Sequence, residues 1–195
     1  MKKGKVSPLV IAGLCLILCS LCLMLVFRLQ SKTGFQKSQE TLSQIHGLLP
    51  EKTPGIPGIY PDAAMPVLEI DDADYVAVLE IPAFGITLPV ADQWDSKKLH
   101  DGPRRFWGSA YDNTLVVGGT DDSWQLAFCD KIENGTALTV TDMTGAQFAY
   151  TVARVDRAKH AEGQWLTGGD WDLTLFCHDV QSMEYIAVRC TFSNS

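Results

Sequence analysis

The chain has 195 residues, enough for one globular domain and an N-terminal appendage, because single domains cluster near about 100–150 residues. Its formal net charge of −7 argues against nucleic acid as a partner, since phosphate binding needs clustered lysine and arginine. The sequence has no internal repeat and no Cys/His pattern with zinc-ligand spacing, so we expect neither a metal nor another cofactor.

The first element is a predicted membrane anchor. A basic start, residues 1–7, is followed by twenty residues without a charge, 8–27. That length matches the roughly 20 residues that cross a bilayer core as a helix. A small-x-small cleavage site of a signal peptide is missing, and the lysines of the basic start place the N-terminus in the cytoplasm. The pattern predicts a single-pass protein of the cell membrane with an extracytoplasmic body.

Residues 28–66 are predicted to connect the anchor to the body. The first half, up to Leu49, is polar with loosely spaced apolar residues, so a short juxtamembrane helix is one interpretation. The second half carries prolines at positions 50, 54, 57, 61 and 66. Such a composition is typical of a semi-rigid extended stalk, which would hold the body away from the membrane.

The body, residues 67–195, has the pattern of a mostly β domain. Short apolar or alternating runs separated by turn residues predict seven strands. These are 75–81, 86–90, 113–119, 137–142, 146–155, 172–176 and 185–192. Short helices are expected near 94–100 and 125–133. Many short strands with few helices indicate a closed β-barrel or a sandwich.

The six cysteines form two groups: Cys15, Cys19 and Cys22 in the apolar run, and Cys129, Cys177 and Cys190 in the body. An odd number in the body excludes a complete disulfide framework unless another chain takes part. We expect Cys129 and Cys190 to be small buried apolar residues.

Five segments of the body form an ordered pattern: MPVLEIDDADYVAVLEIPAFGITLPV, LHDGPRRFWGSAYDNTLVVGG, FCDKIENGTALTVTDMTGAQFAYTV, GGDWDLTLF and VRC. Their order and spacing resemble the sortases, the membrane-anchored cysteine transpeptidases of Gram-positive bacteria. The resemblance implies a sortase-type closed β-barrel of about eight strands with one or two short helices, after the transmembrane helix. It also implies a peptide substrate, since sortases cleave surface proteins at a sorting signal, commonly of the LPxTG type.

Sortase chemistry needs a cysteine thiolate as nucleophile, a histidine for proton transfer and an arginine for the developing negative charge. Here NTLVVGGT places Thr120 at the end of the strand where the family has its histidine. A gapless alignment of LTLFCHDVQSMEYIAVRC places His178 at the cysteine position and Tyr185 at the arginine position. Arg189 falls on a later, non-catalytic arginine. The resemblance therefore implies a degenerate catalytic triad.

Cys177, one residue before His178, is the remaining candidate nucleophile. Successive strand residues point to opposite faces, so the gapless register turns Cys177 towards the interior. A β-bulge after Phe176 would turn it into the cleft. Even then, the adjacent Cys177 and His178 side chains would point apart and could not form a nucleophile–base pair.

Three further residues are candidates for the cleft. Asp121 could supply a carboxylate beside Thr120, and His160 lies in a loop near the place where the family closes its substrate groove. Arg105 belongs to a basic pair near the cleft entrance. A solvated turn or surface loop is the simpler interpretation of each.

The sequence therefore predicts a sortase-like pseudoenzyme that binds a sorting-signal peptide, a pilin, a cell-wall component or another sortase. The alternative is an active, divergent cysteine transpeptidase or peptidase that uses Cys177 to anchor surface proteins to the cell wall. Its base would be His160 or His178, and its oxyanion partner Arg189 or Arg105. A structural spacer without a ligand is the third interpretation.

Overall fold

A computed structural model describes residues 8–59 and 61–193 of the chain, so the predicted basic start, residues 1–7, lies outside the described residues. The helices are α1 (Pro8–Leu48) and α2 (Gly163–Thr167). The strands are β1 (Thr53–Pro54), β2 (Leu68–Ile70), β3 (Ala73–Ile81), β4 (Ile86–Ala91), β5 (Arg104–Trp107), β6 (Leu115–Thr120), β7 (Ala137–Asp142), β8 (Ala146–Ala158), β9 (Leu173–Asp179) and β10 (Glu184–Phe192). Short 3-10 helices occur at Pro82–Phe84, Ser96–Asp101 and Ala127–Asp130.

Eight of the ten strands close into a barrel in the order β3-β4-β5-β6-β9-β10-β8-β7, and β7 pairs back onto β3. Neighbouring strands of the barrel are antiparallel except for the pairs β4–β5 and β6–β9. The short strands β1 and β2 extend β8 and β3 outside the closed ring. Closure pairs the backbone of every barrel strand on both sides, which stabilises a domain made of short strands. The predicted β-barrel is confirmed.

The two-residue alternation of the strands separates a packed interior from an outer surface. In β9, Leu173, Leu175 and Cys177 point into the main core, whereas Phe176 packs in a separate cluster on the outer surface. In β6, Val117 likewise belongs to the main core and Val116 to the outer cluster. The barrel is therefore filled by side chains, and any binding surface lies on its outside or at its ends.

All seven predicted strands are present, with boundaries shifted by a few residues, and both predicted short helices are 3-10 turns. The strand β5 was not predicted, because its basic pair was interpreted as a turn. That interpretation is wrong: Arg104 pairs with Gly118 of β6, and the ring of Phe106 packs 5.0 Å from that of Trp94. One side of this strand is apolar despite its two charges.

Helix α1 is continuous from Pro8 to Leu48. The structure thus differs from the expected boundary between an anchor at 8–27 and a separate segment from residue 28. The N-terminal part of α1 is long and apolar enough to cross a membrane. No residue of its most apolar stretch is buried within the part of the protein that the structure describes. The C-terminal part packs against the barrel through one buried face, made of Gly34, Ser38, Thr41, Leu42 and Ile45.

The proline-rich segment 50–66 lies on the barrel and is not the expected extended stalk. Backbone hydrogen bonds of 3.0 Å from Thr53 to Gly145 and of 2.8 Å from Gly55 to Gln147 attach it to β8 and its preceding turn. Met65 is 3% exposed and belongs to the main core. The packed unit therefore begins before residue 67, because Met65 and the buried face of α1 are part of it.

Candidate functional site

Strands β6, β9 and β10 lie side by side and bring three sequence-predicted positions into one row. The strand register pairs Thr120 with His178 and His178 with Tyr185. All three residues are half-buried. The rings of His178 and Tyr185 meet edge to face, with their centroids 4.8 Å apart. We call this set the cross-strand row.

Thr120 is fixed by the loop that follows it. Its hydroxyl donates a hydrogen bond of 2.8 Å to the Asp122 carboxylate, and its backbone N–H donates to Oε1 of Gln125 at 3.3 Å. The buried Gln125 amide in turn donates to the carbonyl of Leu99 at 2.9 Å. Thr120 therefore presents a hydroxyl that is already used as a donor, and a hydroxyl is no base near neutral pH.

Asp121 joins the same loop to the turn between β9 and β10. Its carboxylate accepts a hydrogen bond of 3.0 Å from the backbone N–H of Val180. The carboxylate thereby stabilises the turn that links His178 to Tyr185. In this arrangement Asp121 supports the shape of the strand ends.

Cys177 points away from the cross-strand row. It is 2% exposed, and its sulfur lies 3.7 Å from the carbonyl oxygen of Leu126. The β9–β10 pairing is regular from Leu173 to Asp179, so no bulge turns Cys177 outwards. A small cavity of about 110 Å³ at this end of the barrel reaches Cys177 between Asp121 and Lys131.

The other candidates lie away from the row. His160 is exposed in the loop between β8 and α2. Arg105 is ion-paired with Asp92, and its strand neighbour on β6 is Val117, three residues before Thr120. These positions bring neither residue to His178.

Arg189 is a buried cation that sequence reasoning did not identify as structural. It is 2% exposed and lies four residues after Tyr185 on β10, which separates the two by about 13 Å along the strand. Its guanidinium contacts one carboxylate, one hydroxyl and two carbonyls: Asp156, Thr174, Trp165 and Leu166. These contacts fasten α2 to the barrel and leave Arg189 unsuited as an oxyanion partner. The only sequence signal is a charge inside an apolar strand, which must have buried partners.

An apolar outer surface adjoins the row on the same strands. The ring of Phe176 lies 5.6 Å from that of Trp94 and 5.5 Å from that of Phe106. Gly118 permits this packing, because a Cβ there would lie 2.5 Å from the Phe176 ring. Leu166 of α2 covers part of the same cluster. The aromatic partners of Phe176 were not recognised from the sequence, since Trp94, Phe106 and Phe176 lie in three separate segments of the chain.

The row combines a hydroxyl, an imidazole and a phenol beside an apolar surface. These groups can donate and accept hydrogen bonds, but the row contains no thiol and no guanidinium. Within residues 8–59 and 61–193, no three His, Cys, Asp or Glu side chains are arranged to hold a metal ion. The row therefore offers hydrogen-bonding groups next to an apolar surface.

No model of a known protein family and no curated protein matches the sequence. Solved structures do match. A lid mutant of sortase A from Corynebacterium diphtheriae has a TM-score of 0.55 and 17% identity, covering 70% of this chain and 76% of that chain. Sortase C1 from Streptococcus agalactiae has a TM-score of 0.55 and 20% identity, covering 66% and 72%. Sortase C from Clostridium perfringens SM101 has a TM-score of 0.53 and 17% identity, covering 85% and 90%. At these identities the matches establish the architecture, and the chain has the sortase fold.

Proposed function

We propose that this protein is a membrane-anchored member of the sortase family that binds a sorting-signal peptide without cleaving it. The observation that carries the proposal is the cross-strand row. Thr120, His178 and Tyr185 stand side by side on the strands where the resemblance places the catalytic histidine, cysteine and arginine. The barrel would act outside a Gram-positive cell membrane, where a pilin, a cell-wall component or another sortase is the alternative binding partner.

Loss of covalent catalysis is supported by the direction of two side chains. Cys177 lies in the core, and His178 lies on the opposite face of the same strand. A histidine base must reach the proton of its nucleophile within about 2.6–3.2 Å, directly or through one water. Adjacent residues of a regular strand cannot meet that condition.

Peptide binding is supported by the surroundings of the row. An extended peptide laid along β6 and β9 would meet polar groups at the row and aromatic rings around Phe176. Recognition of peptides commonly combines hydrogen bonds to the backbone with apolar pockets for side chains.

The test uses the full chain in detergent and fluorescent peptides of the LPxTG type, with binding followed by anisotropy and cleavage by mass spectrometry. We expect saturable binding, no cleavage, and a loss of affinity of about tenfold in His178→Ala and in Tyr185→Ala, which corresponds to about 1.4 kcal/mol. His160→Ala is the matched control, because this exposed histidine lies in a different loop.

Two outcomes would contradict the proposal. Cleavage that disappears in Cys177→Ala, with the fold verified by thermal melting, would establish the alternative of an active divergent transpeptidase. The cavity that reaches Cys177 is the observation that favours this alternative. A complete lack of saturable binding to sorting peptides and wall fragments would favour a structural spacer.

A further inference from the structure

Two of the three cysteines of the barrel domain converge on one backbone carbonyl. The N–H of Cys129 donates a hydrogen bond of 2.9 Å to the oxygen of Leu126, and the sulfur of Cys177 lies 3.7 Å from the same oxygen. Cys177 is also one of the groups that raise the pKa of the buried Cys129 thiol, as expected for neighbouring side chains. Cys129 is 0% and Cys177 is 2% exposed. Two neighbouring buried thiols are unusual in a domain outside the cell, which is where the proposed function places this barrel.

From this juxtaposition we propose that Cys129 and Cys177 form a disulfide in the extracytoplasmic protein. The bond would join the 3-10 turn Ala127–Asp130 to β9, one residue before His178. It rests on the extracytoplasmic location given under the proposed function, but it holds whether or not the row binds a peptide.

The strand register excludes Cys190 as the partner of Cys177. Cys190 lies opposite Leu173 on the β9–β10 ladder, four residues from Cys177 along β9. That separation is about 13 Å, whereas disulfide-linked Cα atoms lie at most about 7 Å apart. The odd cysteine count of the domain then resolves into one pair and one buried free thiol.

The chemistry of the step is an oxidation by thiol–disulfide exchange. Two thiols lose two protons and two electrons and form one S–S bond, and the disulfide of an extracytoplasmic thiol oxidoreductase, or of oxidised glutathione in vitro, is reduced to two thiols. Burial raises the pKa of the Cys129 thiol, so the folded pair reacts slowly. The bond therefore forms during folding, before the loop after Thr120 closes over Cys177.

The test exploits the sequence, because trypsin places each of the three thiols on its own peptide. Cys129 lies on 106–131, Cys177 on 160–189 and Cys190 on 190–195. The full chain is isolated without reductant, alkylated in denaturant, digested and mapped by mass spectrometry. We expect peptide 106–131 linked to 160–189 and Cys190 alkylated. Alkylation of all three thiols, even after refolding with oxidised glutathione, or a link that involves Cys190, overturns the proposal.

A second measurement does not depend on peptide mapping. Reduction should lower the melting temperature by roughly 4–16 °C, as expected for a disulfide in a chain of this length. The matched control Cys190→Ala should keep this shift, and Cys129→Ala should abolish it. A shift that persists in Cys129→Ala would refute the pair. None of these results depends on peptide binding, so failure of the proposed function would be recognised separately.

Discussion

Substitution of Arg189 by methionine tests how α2 and its loop are held against the barrel. Methionine keeps an unbranched stem but removes the guanidinium and therefore all its donors. In the native protein the guanidinium donates hydrogen bonds to the carbonyl of Leu166 at 2.9 Å, to the hydroxyl of Thr174 at 3.0 Å and to the carbonyl of Trp165. The guanidinium also lies 5.1 Å from the centre of the Trp165 ring.

The expected cost follows from the groups that lose their partner. Asp156 would still be ion-paired with Arg154, so its carboxylate would keep a cationic partner. The two carbonyls and the hydroxyl would be left without a donor, at about 1–3 kcal/mol for each buried group. Allowing for some relaxation, we expect Arg189→Met to lower the free energy of unfolding by about 3–5 kcal/mol. For a domain of this size that corresponds to roughly 6–20 °C in melting temperature.

Thermal and urea denaturation, followed by circular dichroism, measure the loss. Tryptophan fluorescence provides a local signal, because Trp165 stacks on the guanidinium. The matched control is Arg154→Met, which removes the exposed cation from the same carboxylate and should have a much smaller effect. If Arg189→Met were no more destabilising than Arg154→Met, the reasoning that α2 depends on this buried cation would be refuted.

Two further predictions concern helix packing and pH. Gly34→Ala should loosen α1 from the barrel, because the new Cβ would lie 2.5 Å from the carbonyl oxygen of His100. The control Gly47→Ala should be neutral or stabilising, because no atom lies within 4 Å of its new Cβ. Limited proteolysis compares the two variants, and equal protection from cleavage would contradict the packing of α1 on the barrel. Burial raises the pKa values of Cys190 and Tyr150 above their unfolded values, so the folded state retains protons that the unfolded state loses as the pH rises. In the presence of a reductant, the free energy of unfolding should therefore be constant from pH 7 to about pH 8.5 and fall at higher pH. Urea denaturation at several pH values between 7 and 10 measures this free energy, and the absence of a decline would disprove the prediction.

The barrel could be predicted because its strands carry the alternation that a half-buried sheet requires. The continuous helix could not, because the face of α1 that meets the barrel is built from Gly34, Ser38 and Thr41 as well as Leu42 and Ile45. Close packing there depends on small residues rather than on apolar ones, and hydropathy does not detect it. The same applies to segment 50–66, where a missing side chain at Gly55 admits the ring of Phe148.

The placement of Thr120, His178 and Tyr185 in one row followed from strand period and alignment alone. A period of two residues fixes which side chains share a face, so a gapless register was sufficient. The attachment of α2 to the barrel by Arg189 could not be predicted, because the main partners of Arg189 are backbone carbonyls 23 and 24 residues away in sequence. No side-chain pattern marks a carbonyl that will accept a hydrogen bond.

The docking of α1 determines how far the domain can search for a ligand. With the membrane boundary at Arg28, as predicted, only about 9 Å of helix separates the bilayer surface from the first buried contact at Gly34. A flexible linker would let the domain sample a wide volume at a low effective concentration. If α1 crosses the membrane as predicted, the barrel packed on it would instead stay in a thin layer above the lipid and turn with every tilt of the helix. Ligands anchored in the same membrane would then meet the domain by diffusion in two dimensions, whereas ligands farther from the membrane would have to diffuse to it.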